Sequence, residues 1–243
     1  VFFFNFREDR LRQIVKMSEN LNCSLLTMAE VGKTNAVPIY VQKNVEDTLS
    51  EHLSRLGLRQ IKISETTKYA HVTYFLNGGR EEPFKLEDRV HIPSIKVERF
   101  NETPKMRAKE ITSEVLKAID AGYDAIIVNY SNPDMVGHTG DYEATIKAIE
   151  FLDVCVKKVL DKAKKKDYFV IVTADHGNSE TMRTKSGEPH MAHTTNPVIC
   201  TVVDNVQHKM ASRGGLKDIA PTMLDLMQVD KNPKFEGSSL ICK

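Results

Sequence analysis

Ala125-Ile-Ile-Val-Asn-Tyr-Ser-Asn-Pro-Asp134-Met-Val-Gly-His138 decides the fold. Its opening run, Ala125 to Tyr130, is apolar and β-branched, which predicts a buried strand of a parallel sheet. A carboxylate and an imidazole follow just past the strand's carboxyl end. A second stretch, Tyr168-Phe-Val-Ile-Val-Thr-Ala-Asp175-His176-Gly177, repeats the plan. In open α/β sheets, ligands collect in the crevice beyond the carboxyl ends of the strands. Aspartate with histidine suits a borderline divalent ion such as zinc or manganese, whereas oxygen-only donors would suit magnesium or calcium. Another imidazole, His193, stands before the apolar run Pro197 to Val203. Together these residues supply donors for two ions.

Working outward, helical spacing marks Lys105–Ala121 through Ile111, Val115, Leu116 and Ile119, and a long helix from about Asp141 to Lys165. Further strands are predicted at 1–6, 25–28, 60–63, 70–76 and 198–203. Helices are predicted near 9–17, at 41–56 with Gly57 as the residue that ends it, and at 220–227, where Pro221 suits a first turn. Residues 81–97, polar and proline-bearing, read as a long loop or small hairpin. Alternating strand and helix implies an α/β protein with a mostly parallel sheet covered by helices on both faces.

A chain of 243 residues with net charge +1 argues against a nucleic-acid or membrane surface as the main partner. No apolar stretch approaches the ~20 residues that span a bilayer, and no signal-peptide pattern opens the chain. Cys23, Cys155, Cys200 and Cys242 show no Cys-x-x-Cys spacing. Cys155 and Cys200 lie in apolar runs, so buried thiols in a reducing compartment follow for them, and the cytoplasm is the expected location. His52 and His208 read as solvated, His91 opens a short strand-like stretch, and His190 is the one competitor of His193.

The chain resembles the cofactor-independent phosphoglycerate mutases of the alkaline phosphatase superfamily. The resemblance runs, in order, through Phe-Asn-Phe-Arg7-Glu-Asp-Arg10, Glu-Thr-Thr-Lys68-Tyr-Ala-His-Val-Thr, Asn77-Gly-Gly-Arg, Asn-Pro-Asp134-Met-Val-Gly-His138-Thr-Gly, Thr-Ala-Asp175-His176-Gly-Asn and Ala-His193-Thr-Thr-Asn-Pro. It implies an alkaline-phosphatase-like domain, incomplete in this chain. Residues 1–42 would be the remnant of an inserted transferase domain and 43–243 the closing segment of the phosphatase-like domain. It also implies interconversion of 2- and 3-phosphoglycerate through a phosphoserine, without bisphosphoglycerate, in a monomeric parent protein.

By the same resemblance, Asp134, His138 and His193 hold one divalent ion, and Asp175 and His176 the second. Manganese stands ahead of zinc, magnesium and cobalt. Lys68 contacts the transferring phosphoryl group, where an ammonium offsets developing negative charge. Arg7 and Arg10 bind substrate, since a guanidinium fork pairs with carboxylate or phosphate through two bonds. The family's serine nucleophile has no counterpart in a matching context, so the chain alone is expected to be inactive. The competing reading is a metal-dependent phosphatase or phosphopentomutase of the same superfamily. A sulfatase would show cysteine or serine before Pro-x-Arg, which does not occur.

Overall fold

The computed structural model describes residues 1–41 and 45–242, with the side chain of Asp9 excepted. The chain divides into two compact units, Val1–Val45 and Glu46–Lys243. The first holds β1 (Phe2–Phe3), a 3-10 turn at Glu8–Arg10, α1 (Arg12–Ser18), β2 (Leu26–Ala29) and β3 (Val37–Tyr40). Its strands pair in parallel in the order β1-β2-β3. Leu11, Val15 and Val31 form its small core, with Phe3 and Ala36 packed against them.

The second unit runs α2 (Leu49–Arg55), β4 (Gln60–Glu65), α3 (Thr66–Val72), β5 (Glu87–Ile92), α4 (Ala108–Asp120) and β6 (Ala125–Asn129). It continues with α5 (Asn132–Gly137), α6 (Tyr142–Lys165), β7 (Val170–Thr173), β8 (Cys200–Val203) and α7 (Ile219–Leu226). Strands β5-β4-β6 form a parallel sheet, in which Ile61 lies between Asp88 and Ile126. Strands β7 and β8 pair antiparallel.

Every residue of β4 is buried, so its two faces differ by chemistry. Ile61 and Ile63 pack on Ile111, Val115, Ala118 and Ile119 of α4 and Ala163 of α6. Each isoleucine or valine side chain so removed from water contributes about 1.5–3 kcal/mol. The opposite face is polar: Gln60 donates to the Ser50 carbonyl at 2.7 Å and Ser64 to the Asn129 carbonyl at 3.1 Å. Between them, Lys62 bonds Asn77 and lies 3.4 Å from Glu87. Burial pulls the Lys62 ammonium down to about 8, against the opposing pull of Glu87. Local signals set the helix ends. Thr48 and Asp141 cap α2 and α6 through their side-chain oxygens, and Gly57 takes a positive φ just after α2.

Several expectations are corrected. The predicted strand at 70–76 is replaced by α3 and the turns after it, since Thr66 starts a helix directly at the end of β4. Residues 81–97 contain β5, which among the described residues pairs with β4; its buried Glu87 is held by Lys62, Arg89 and the Asn77 amide. The strand ending at Thr173 joins an antiparallel pair, one of three sheets among the described residues, the other two being parallel. The strand at 1–6 shrinks to Phe2–Phe3. The helix at 41–56 is Leu49–Arg55, and its predicted portion at 42–44 lies outside the described residues. Strand β3 and helix α5 were not anticipated. Cys155 is buried, Cys200 is half-buried, and all four thiols are free.

Candidate metal centre

The centre lies where β4, β6 and β7 end, and Asp134 is its hub. Strand β6 stops at Asn129, and α5 begins with Pro133 in its first turn, where the missing N–H costs nothing. Four residues of helix bring Asp134 and His138 onto one face. His138 Nδ1 lies 2.7 Å from the carbonyl of Met191. A carbonyl only accepts, so Nδ1 carries the proton and Nε2 offers its lone pair. That Nε2 lies 3.1 Å from Asp134 Oδ1 and 3.0 Å from His193 Nε2. His193 Nε2 is in turn 3.0 Å from the same carboxylate oxygen. Donors bound to one tetrahedral ion at about 2.0–2.1 Å stand ~3.3 Å apart, so the triangle fits a single divalent ion. Among the described residues, Asp134, His138 and His193 form the one such group.

Lys68, in the first turn of α3, places its ammonium 2.5 Å from Asp134 Oδ2. Burial would raise the Asp134 carboxyl. Lys68 and the Asn178 amide outweigh burial and hold it down at about 2. The hub is therefore an ionised acceptor throughout the ordinary pH range.

Asp175 and His176 follow β7 on a tight turn. Asp175 Oδ2 is 3.6 Å from His176 Nε2, and the Asp175 side chain is about half exposed (49%). The His176 ring stacks on His193 with centroids 3.6 Å apart. His193 thus faces His138 on one side and His176 on the other, which brings the two sequence-predicted pairs into one constellation. Gly177 permits this closure. Its carbonyl accepts from Thr194 N at 2.9 Å, and an added Cβ would meet Thr194 Oγ1 at 2.2 Å.

Arg7 precedes the 3-10 turn and Arg10 ends it, both exposed and both in the first unit. His190 stays outside the ligand group; its backbone N–H donates to the Met182 carbonyl at 2.9 Å. Two other histidines depart from the solvated reading. His208 Nε2 sits 2.6 Å from Asp204, and His52 Nε2 sits 2.7 Å from the Asp230 carbonyl. His91 lies within β5, with Nε2 2.8 Å from Thr66 Oγ1.

A metalloenzyme superfamily model matches residues 14–231. The chain belongs to the metalloenzyme superfamily. Similar superfamily members include the 2,3-bisphosphoglycerate-independent phosphoglycerate mutase of Clostridium botulinum, 46% identical across 99% of this chain and 50% of that protein. The corresponding mutase 2 of Methanosarcina barkeri is 44% identical across 100% of the chain and 49% of its own length. The structure of Leishmania mexicana phosphoglycerate mutase at low cobalt concentration superposes with a TM-score of 0.90 at 30% identity, over 100% of this chain and 50% of that one. The chain spans about half the length of the curated relatives it matches. Its mostly parallel, alkaline-phosphatase-like architecture is the one shared with that mutase.

Sequence reading missed the groups that brace the ligands: the Met191 carbonyl, Asn178 and Glu180. Asn178 stood inside a quoted motif, and its signal was an amide three positions past a candidate ligand. The Met191 carbonyl leaves no trace in residue type.

Proposed function

We propose that the protein carrying this chain interconverts 2- and 3-phosphoglycerate at a two-metal centre through a phosphoserine, with no bisphosphoglycerate. The observation that carries the reading is the Asp134–His138–His193 triangle with Lys68 against its hub, in a chain 46% identical to a named mutase. In this reading Asp134, His138 and His193 hold the first divalent ion, and Asp175 and His176 belong to the second. Manganese is the metal proposed. Ions held by these residues would supply positive charge to offset that on the oxygens of a transferring phosphoryl group.

The chain's own residues do the rest. Lys68 is held at the hub by its ion pair, so its ammonium is already oriented when a phosphoryl group arrives, and reorganisation is small. The Met191 carbonyl fixes the tautomer of His138, and stacking on His176 fixes the plane of His193. Arg7 and Arg10, on residues 1–42 read as the transferase remnant, bind the substrate's anionic groups. Residues 43–243 are read as the phosphatase-like segment.

The test is conversion of 3- to 2-phosphoglycerate by purified full-length protein loaded with manganese and given no bisphosphoglycerate. Turnover is expected, falling about 10²–10³-fold in Lys68→Met when assayed at saturating metal. The isolated 243-residue chain is expected not to isomerise. Release of free phosphate without isomerisation would favour the phosphatase alternative and overturn the mutase reading.

A further inference from the structure

Asn178 lies outside the ligand set, yet it is buried at 5% exposure and aimed at the hub. Its Nδ2 donates to Asp134 Oδ1 at 2.8 Å and to the Asp134 carbonyl at 3.4 Å. Both partners only accept, so the amide must present its NH₂ to them and turn Oδ1 away. That Oδ1 is buried with no hydrogen-bond partner. It packs against Gly137, where an added Cβ would approach it to 2.4 Å. An amide placed for stability alone would satisfy both ends. The orphaned oxygen and the absent side chain at 137 have one common explanation, a requirement for the donor at Asp134.

The rest of the turn is built to hold that amide. Glu180 accepts from the Asn178 backbone N–H at 2.7 Å, from Asn196 Nδ2 at 2.9 Å and from the Thr194 hydroxyl. Burial opposes ionisation of Glu180, and these donors prevail, drawing its carboxyl below the usual range. The turn after His176 is thereby tied to Asp134 on one side and to the segment following His193 on the other.

We propose that Asn178 is a positioning residue of the first metal site, holding Asp134 Oδ1 toward His138 and His193. Oδ2 is held by Lys68, so with Oδ1 on Asn178 the carboxylate cannot rotate out of the triangle. One lone pair of Oδ1 takes the amide proton and the other remains for a metal. The turn that carries Asp175 and His176 therefore also sets the affinity of the Asp134 site. This rests on Asp134, His138 and His193 being ligands.

The experiment is titration of metal-free full-length protein with cobalt(II), read by calorimetry and visible absorption, in wild type, Asn178→Ala, Gly137→Ala, the double variant and His138→Ala. Asn178→Ala should weaken first-site cobalt binding about 10–100-fold and change its absorption, with the metal-free melting temperature little moved. Gly137→Ala, normally favourable in a helix, should weaken binding similarly by displacing the amide. The double variant should bind no more weakly than Asn178→Ala alone, because the clash has nothing left to act on. Wild-type cobalt affinity in Asn178→Ala would overturn the proposal. If that variant does not fold, wild-type affinity in Gly137→Ala overturns it instead. Losses that multiply in the double variant would overturn the link between the two positions. Wild-type binding unaffected by His138→Ala would overturn the ligand reading itself.

Discussion

Asp134 and Asp175 each follow a strand end and each keep company with histidine, yet they sit in different surroundings. The Asp134 side chain is 14% exposed and is met by Lys68, His138, His193 and Asn178. The Asp175 side chain is 49% exposed and lies 3.6 Å from His176. The spacing of the two motifs explains the contrast. A pair four residues apart on a helix is brought to one face by the backbone alone. Consecutive residues diverge unless a turn redirects them. The first arrangement is preorganised by this chain's own hydrogen bonds; the second depends on Gly177, the Thr194 contact and the His193 ring.

The largest expected effect separates the two pairs directly. His138→Ala should abolish tight manganese binding at the Asp134 site, whereas Asp175→Ala should leave that site's affinity within a few fold and lower only the weaker equivalent. Equilibrium dialysis with elemental analysis of the full-length protein distinguishes them, and equal losses in both variants would erase the distinction.

A smaller effect concerns acid stability of the metal-free protein. The Asp134 carboxyl is held near 2 in the folded chain, against about 3.9 when unfolded. A depressed folded value gives stability that is present above pH 4 and lost as pH falls toward 2. The contribution is at most about 3 kcal/mol. Asp134→Asn should flatten the loss of stability between pH 4 and 2 in urea melts, and an unchanged slope would show that the neighbours do not favour the ionised form.

Sequence alone revealed most of what forms the central sheet. The apolar run of β6, the isoleucines of β4 and the helical period of α4 and α6 are carried by side chains whose burial is their reason for being apolar. The errors have physical causes. The stretch Ala-His-Val-Thr-Tyr-Phe-Leu after Lys68 is rich in strand-favouring residues, and its place after β4 overrides that preference. Strand β5 carries charges at Glu87, Asp88 and Arg89, and all three find partners, Arg89 on Glu87 and the Tyr123 hydroxyl on Asp88. Strand β3 follows β2 with no crossover helix to announce it. The antiparallel sense of β7 and β8 is invisible to periodicity, which reports burial and not direction.

The site divides along the same line. Asp134, His138, His193, Asp175 and His176 could be named as candidates from sequence because donor residue types are few, and the fold brings the first three within reach of one ion. Asn178 and the Met191 carbonyl were not, because their roles exist only once segments more than forty residues apart have closed on one another, and Glu180 acts only through the folded turn that carries Asn178, Thr194 and Asn196.

The central claim is that Asp134 is the hub of a metal site with His138 and His193. Anomalous diffraction from crystals of the full-length protein grown with manganese tests it most directly. The account predicts a peak bonded to Asp134 Oδ1, His138 Nε2 and His193 Nε2. A peak ligated by His190 in place of His193, or manganese found only on other carboxylates, would contradict it.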